Sequence, residues 1–295
     1  RSSSRGIRLR SRRDAAKFRR LPMSIEIPDN WLGKKLDGSL EKILQKPKSI
    51  ASPIPAVQTV ITPAGNNGIN RAEYIILSGR KHDSYEYGDT LVAIERTHHD
   101  NDWHGARDEL KKEGAYMLTI RQFADFLTLL RSGHAFDGNG NTMSPSRLND
   151  IYNDITEVRN PWRSEWLDAK FTEQQTVPRS KVVGVPVPFT GKTGMHIAYH
   201  TVDARGVLKE VNEPLDAYLD KNKTPGIDLD NWLQGATKHG IPSPNITGGK
   251  LYYWQPTDGR VARFVAGSDR AGLNCGRDPA DRNPNLGVRA ARLKI

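Results

Sequence analysis

The chain predicts an α+β fold. Three observations carry that expectation: a pair of amphipathic helices near the middle, short β-branched or aromatic runs on either side, and long loops rich in Gly, Asn and Pro. The clearest helix covers residues 119–131, where Ile120, Phe123, Leu127 and Leu130 recur at helical spacing and Gly133 supplies a stop. A second begins at Ser144, a good N-cap, with Pro145 at the first helical position. Its apolar face is Leu148, Ile151, Tyr152 and Ile155.

The remaining elements follow in chain order. Residues 13–21 predict a short helix anchored by Ala16, Phe18 and Leu21. Residues 22–70 are rich in Pro, Gly and Asn and predict extended chain wrapped on a domain, with Trp31, Leu32, Leu40 and Ile43 as docking residues. The expected division is therefore a basic arm and wrapping segment over 1–70 and one domain over 71–295. Within that domain, residues 74–77 and 90–95 read as strands and 103–113 as a polar helix. Short helical pieces are expected at 214–219 and 230–234. Strands are expected at 182–187, 195–199, 250–254, 261–266 and 286–291. No internal repeat at a fixed period is present. Long structured loops in such a domain are usually functional.

At 295 residues and 36% hydrophobic content, the chain is long enough to bury a core. No stretch reaches the roughly 18 apolar residues that a membrane-spanning helix needs. A chain opening on Arg1 is expected to be a fragment or a processed product, so a leader cannot be judged from it. The formal charge of +10 is unevenly placed: residues 1–20 hold nine basic side chains against Asp14, which leaves only +2 for the rest. The basic balance thus describes an arm, which is either a solvated leader or a contact for an anionic surface, a polyanion or a neighbouring subunit. Nucleic acid is not expected as a partner, apart from polyanion contact by residues 1–20. A single cysteine, Cys275, rules out an intramolecular disulfide framework and reads as a small buried hydrophobe.

No catalytic or metal motif is complete in this sequence. The run 189–193 (Phe-Thr-Gly-Lys-Thr) ends like a phosphate loop, but the glycine that should stand five residues before Gly191 is Pro186, which has no amide hydrogen. His98, His99, Asp100, Asp102 and His104 match no ligand spacing and read as a solvated loop after a strand. Residues 137–141 begin like a calcium loop, but Thr142 and Leu148 stand where glycine and the bidentate Glu belong, leaving a helix-to-helix turn. No Gly-x-Ser-x-Gly or His-Glu-x-x-His is present. No metal or cofactor is expected, and no spacing supports an enzyme.

The C-terminal segment is different in kind. Two apolar stretches, 261–266 and 286–291, bracket a run from 267 to 285 rich in Asp, Arg, Asn and Gly. An ordered set leads into it and runs through it: Trp166-Leu167-Asp168-Ala169, then Val261-Ala262-Arg263-Phe264, Ala271-Gly272-Leu273, Cys275, Pro279 and Leu286-Gly287-Val288-Arg289. This set resembles the variable proteins of diversity-generating retroelements, of the microbial and archaeal kind. The resemblance is closest over 261–292, extends over 115–170, and is not carried by residues 1–70. It implies a C-type lectin-like fold of the formylglycine-generating-enzyme subtype, with a variable region over about 250–295.

In that family a reverse transcriptase miscopies adenines of a template, so one scaffold displays many surfaces. Template Asn codons become NNC or NNT codons, which cannot encode Lys, Glu, Gln, Met or Trp. Residues 267–285 contain none of these five types. The chain holds 47 of them in 295 residues, so composition alone leaves such a gap with a probability of roughly 4%. The resemblance implies diversified positions at Asp269, Arg270, Gly272, Asn274, Gly276, Arg277, Asp278, Asp281, Asn283 and Asn285. Arg282 and Pro284 stand where such proteins often carry Ser. It further implies a frame of Trp166, Phe264, Leu273, Cys275, Leu286, Gly287 and Val288, with Arg263 and Arg289 as framework hydrogen-bond donors. Tyr252, Tyr253 and Trp254 could add flanking aromatic contacts, with a core role expected for at least one of them.

The function implied is non-catalytic binding of an unidentified protein ligand on a cell or host surface, by a secreted or surface-displayed protein. Two alternatives stand beside it. A formylglycine-generating-type oxidase would rely on active-site cysteines, and a polyanion-binding protein would act through residues 1–20.

Overall fold

The computed structural model describes residues 68–175, 193–203 and 205–294, together with short strands at 30–31, 34–35 and 59–60. The helix expected at 13–21, the basic arm, the docking side chains of Trp31, Leu32, Leu40 and Ile43, the strand expected at 182–187 and residues 189–192 lie outside the described residues. The chain forms two compact units, Arg1–Pro55 and Ala56–Ile295. The first contains an antiparallel pair, β1 (Asn30–Trp31) and β2 (Lys34–Lys35). The boundary falls ahead of the expected residue 70, because β3 (Thr59–Val60) already pairs with the sheet of the second unit.

The second unit begins with β3, followed by β4 (Tyr74–Leu77), the small hairpin β5 (Arg80–His82) and β6 (Tyr85–Tyr87), and β7 (Thr90–Thr97). Next come α1 (Trp103–Lys112), β8 (Tyr116–Met117), α2 (Ile120–Arg131) and α3 (Pro145–Thr156). Strands β9 (Arg163–Gln175), β10 (Thr193–Val202), β11 (Val207–Pro214) and β12 (Lys223–Ile227) precede α4 (Leu229–Gly235). The chain closes with β13 (Leu251–Trp254), β14 (Val261–Ala266), β15 (Ala271–Arg277) and β16 (Leu286–Leu293). The fold is α+β, as expected.

Local chemistry explains the helix starts. Asp102 caps α1 by accepting from the Gly105 amide at 2.7 Å, and Ser144 caps α3 with Pro145 following it. Thr119 and Gln122 close a reciprocal capping box on α2. Helix α2 is buried on more than its apolar face, since Arg121 and Asp125 are buried too and pair with each other at 2.7 Å. That pairing lets an apparently amphipathic helix sit in the interior.

One sheet runs in the order β12-β13-β15-β14-β9-β10-β11-β3. Strand β9 is its branch point. Residues 163–170 pair with β14, residues 170–175 pair with β10, and residues 164–166 also pair in parallel with β16. Through β16 the sheet continues to β7, β8 and β4. Under it, Phe264 meets Phe123 of α2 at 5.2 Å and stacks on Trp232 of α4 at 6.3 Å. A second apolar cluster gathers Trp103, Trp166, Val261, Leu286 and Val288. Each large side chain buried in this way contributes about 1.5–3 kcal/mol.

Three expectations are revised. Residues 214–219 do not form a helix: Pro214 ends β11, and the amides of Leu215 and Leu219 donate to Met195 and Pro242 carbonyls, so tertiary partners take the bonds a helix would use. The longest strand, β9, was not foreseen, because its buried Ser164, Glu165 and Asp168 break the apolar pattern. Most consequentially, the run 267–285, where no strand is expected, contains β15, hydrogen-bonded on both sides.

Candidate functional site

Strands β13, β15 and β14 lie side by side, and their registers sort the C-terminal residues into two faces. Tyr253, Leu273 and Phe264 are aligned across the three strands and are buried, as is Cys275 further along β15. On the opposite face Trp254, Asn274 and Arg263 form a row, with Tyr252, Gly272 and Val265 beside it. This follows from the period-two alternation of a pleated strand. Tyr253 is accordingly not a flanking contact: it is fully buried, and its hydroxyl donates to the Leu219 carbonyl at 2.9 Å. Tyr252 and Trp254 lie on the open face, their rings 5.8 Å apart.

The outer row borders a cavity of about 480 Å³. Six of the ten positions expected to vary line it: Asp269, Arg270, Asn274, Arg277, Asp281 and Asn283. Trp162, Trp254, Arg263 and Arg282 complete much of the wall. Gly276, Asp278 and Asn285 lie outside the lining. Gly272 contradicts the expectation of a displayed, variable position. It is buried, and a Cβ there would come 2.6 Å from the Tyr252 carbonyl oxygen and 2.9 Å from the Trp254 ring. It is a close-approach glycine that lets Trp254 lie over the strand.

Residues 279–285 are held mainly by their backbone. The Trp103 amide donates to the Pro279 carbonyl at 2.9 Å, and the Asp100 amide donates to Asn283 and Leu286 at 3.1 and 3.2 Å. The Ser164 amide and the Arg96 guanidinium both donate to the Asn285 carbonyl, at 2.9 and 2.8 Å. The His99 ring nitrogen Nδ1 lies 3.0 Å from the Pro284 carbonyl. Residues 98–104 are therefore not merely a solvated loop. They clamp the C-terminal run, and His98 and Asp100 adopt left-handed backbone angles (φ 49° and 64°) to do so. The signal missed in the sequence was structural: a chain that grips carbonyls leaves no mark on the residues it grips.

Most positions expected to form a frame lie in the interior. Trp166, Phe264, Leu273, Leu286, Gly287, Val288 and Arg289 are buried. The Trp166 indole donates to the Asn101 carbonyl at 3.1 Å. A Cβ on Gly287 would sit 2.9 Å from the Thr97 carbonyl oxygen, so glycine is required there. Arg289 donates to Glu165 at 3.0 Å and to the Ala93 carbonyl at 2.9 Å, which makes it a framework donor.

Arg263 is not a framework donor. Its guanidinium makes no hydrogen bond or ion pair among the described residues, and its buried Nε has no partner. It sits 5.8 Å from the Trp162 ring centre. Burial, with Arg277 adding repulsion, pushes its pKa down to about 10. The other cationic side chains of the cavity are matched. Arg270 pairs with Asp269 at 3.0 Å, Arg277 pairs with Asp281, and Arg282 pairs with Asp102 at 2.8 Å. Arg282 and Trp162 were not foreseen as site residues. Arg282 stands where the resembled proteins often carry Ser, and Trp162 lies far off along the chain.

Cys275 is a buried packing residue with no sulfur partner, and burial raises its thiol above the ordinary range. Among the described residues, no group of three or more His, Cys, Asp or Glu side chains is disposed to hold a metal ion. Among the described residues, no helix is long and apolar enough to cross a membrane. Comparison with known proteins finds no matching family model and no significantly similar curated protein or solved structure.

Proposed function

We propose that this chain is a non-catalytic, receptor- or adhesin-like protein that binds a protein ligand through its C-terminal surface. In this reading the surface is diversified by adenine-directed retroelement mutagenesis on a C-type lectin-like scaffold of the formylglycine-generating-enzyme subtype. The single observation that carries it is the separation of duties in residues 267–285. Outside clamps take main-chain carbonyls of 279–285, while side chains of the same run line the cavity. A carbonyl is present whatever the side chain, so such a surface tolerates exchange; exposed positions free of caps and core usually change stability by under about 0.5 kcal/mol. The two helices against a mixed sheet are compatible with the proposed scaffold. The oxidase alternative has less support, because a fully buried thiol with a raised pKa presents no thiolate to a substrate.

The test is a displayed library with NNC or NNT codons at 269, 270, 274, 276, 277, 278, 281, 283 and 285, and Gly272 kept. Most members are expected to keep the parent's protease resistance, and selection against immobilised lysozyme as a test protein is expected to yield binders. Collapse of protease resistance across most of the library, or a failure to yield any binder, overturns the reading. In the genome of origin, the expected companion is a repeat of this segment that differs mainly at adenines, beside a reverse transcriptase gene.

A further inference from the structure

The cavity contains three matched cations and one unmatched one. Arg270, Arg277 and Arg282 each face a carboxylate, from Asp269, Asp281 and Asp102. Arg263 faces none, although its Nε is shut away from water. Arg263 is half-buried and lines the cavity, and a partly desolvated guanidinium with unused donors gains from any acceptor that reaches it. No described residue supplies one.

Position explains what could. Arg263 pairs with Asn274 across β14 and β15, and Asn274 pairs with Trp254 across β15 and β13. Two strand spacings separate the Arg263 and Trp254 backbones, roughly 9–10 Å. Trp162 stands beside the guanidinium at 5.8 Å from its ring centre. Trp162, Trp254, Arg263 and Asn274 thus line one cavity, which brings two indoles, a cation and an amide to the same opening. A guanidinium presents planar paired donors that match a carboxylate in two-point geometry, and the surrounding indoles lower the local polarity and strengthen that pairing.

We propose that Arg263 is a constant carboxylate anchor inside the variable surface: whichever side chains surround it, the protein partner inserts an acidic group between Trp254 and Trp162 to meet it. This rests on the ligand-binding reading and names the chemistry of the partner. Arg263 lies outside the run that is expected to vary, whereas Asn274 lies inside it. The residue at 274 would then set which acidic sequence fits, while Arg263 sets that it is acidic. The carboxylate could come from an Asp or Glu side chain or from a chain terminus.

The probes are linear peptides selected from a random displayed library on the full chain, then resynthesised. Peptides that lose binding when Asn274 or Asp269 is replaced are taken as binding at the surface. Each is compared with its Asp→Asn or Glu→Gln form and with its C-terminally amidated form, which separates a side-chain source from a terminal one. Against the parent peptide, Arg263→Gln is expected to weaken binding by roughly tenfold or more. Arg263→Lys should retain part of the affinity, since it keeps the charge and loses the paired donors. Arg270→Gln removes an equal charge from a matched pair and should cost much less. Once the peptide carboxylate is neutralised, Arg263→Gln should have no further effect. Arg263→Gln should also leave thermal stability unchanged or raise it, because no framework bond is lost. Surface-dependent peptides that ignore both Arg263→Gln and loss of their own carboxylate overturn the anchor and leave the ligand-binding reading standing. So does an equal loss with Arg270→Gln, which would mark general charge attraction. A library yielding no surface-dependent peptide overturns both.

Discussion

Gly272 lies beneath the Trp254 ring so closely that a Cβ would come 2.9 Å from its Cζ3 atom, while the Tyr252 carbonyl oxygen would be 2.6 Å away. Backbone on one side and an indole on the other leave no cheap relaxation. Gly272→Ala is therefore expected to destabilise the protein by about 1–3 kcal/mol. Asn274→Ala, two residues along the same strand, loses only the Asn274 side-chain bond to the Gly276 amide and should cost under about 1 kcal/mol. Urea denaturation of both variants decides the matter. A neutral Gly272→Ala would restore that position to the displayed set.

Arg289 and Glu165 form a fully buried pair that joins β16 to β9, with donation to the Ala93 carbonyl as well. Arg163 lies 3.6 Å from the same carboxylate, so it only partly replaces the lost partner. Arg289→Leu leaves Glu165 buried with its main partner gone and is expected to cost about 3–5 kcal/mol. Arg289→Leu with Glu165→Leu should recover much of that loss. A double-mutant cycle with no coupling would show that the pair does not hold the C-terminal strand.

Glu213 predicts the acid limb of stability. Burial tends to raise its carboxyl, but hydrogen bonds from His239 (2.8 Å), Tyr199 (2.7 Å) and Lys238 (3.2 Å) together overcome this and hold it at about 2. A carboxyl depressed in the folded state stabilises fully above its unfolded value, near 4.3, and loses that contribution as pH falls toward 2. Glu213→Gln should therefore cost about 1–3 kcal/mol at neutral pH. The gap to the parent should close between about pH 5 and pH 2 in melting curves. A gap that stays constant with pH would mean the charge is not what matters.

Cys275 is fully buried with its thiol pKa raised. Iodoacetamide at mildly alkaline pH should leave the native protein unlabelled and modify it readily in urea. Native labelling as fast as denatured labelling would return the thiol to consideration as a reactive group.

The parts that were legible in the sequence are those decided within a few residues. Ser144 announced a helix start because a cap and its amide lie three positions apart, and the 119–131 helix was legible from the helical spacing of its apolar residues. The runs 261–266 and 286–291 announced strands because, a single Arg apart, each is free of charged and polar side chains. Strand β9 was hidden because its buried Glu165 is made tolerable by Arg289, which stands 124 residues away.

For the binding surface, the same boundary holds. The bracketed run of Asp, Arg, Asn and Gly, and its lack of five residue types, are properties of the sequence alone. They single out 267–285 without saying which side chains face outward. Tertiary structure decided that Gly272 is pinned, that Tyr253 belongs to the core, that His99 and Asp100 clamp carbonyls of the run, and that Arg263 is left without a counter-charge. Facing is set by register between strands distant in sequence, and charge balance is set by whatever those strands bring near, so neither can be read from neighbours along the chain.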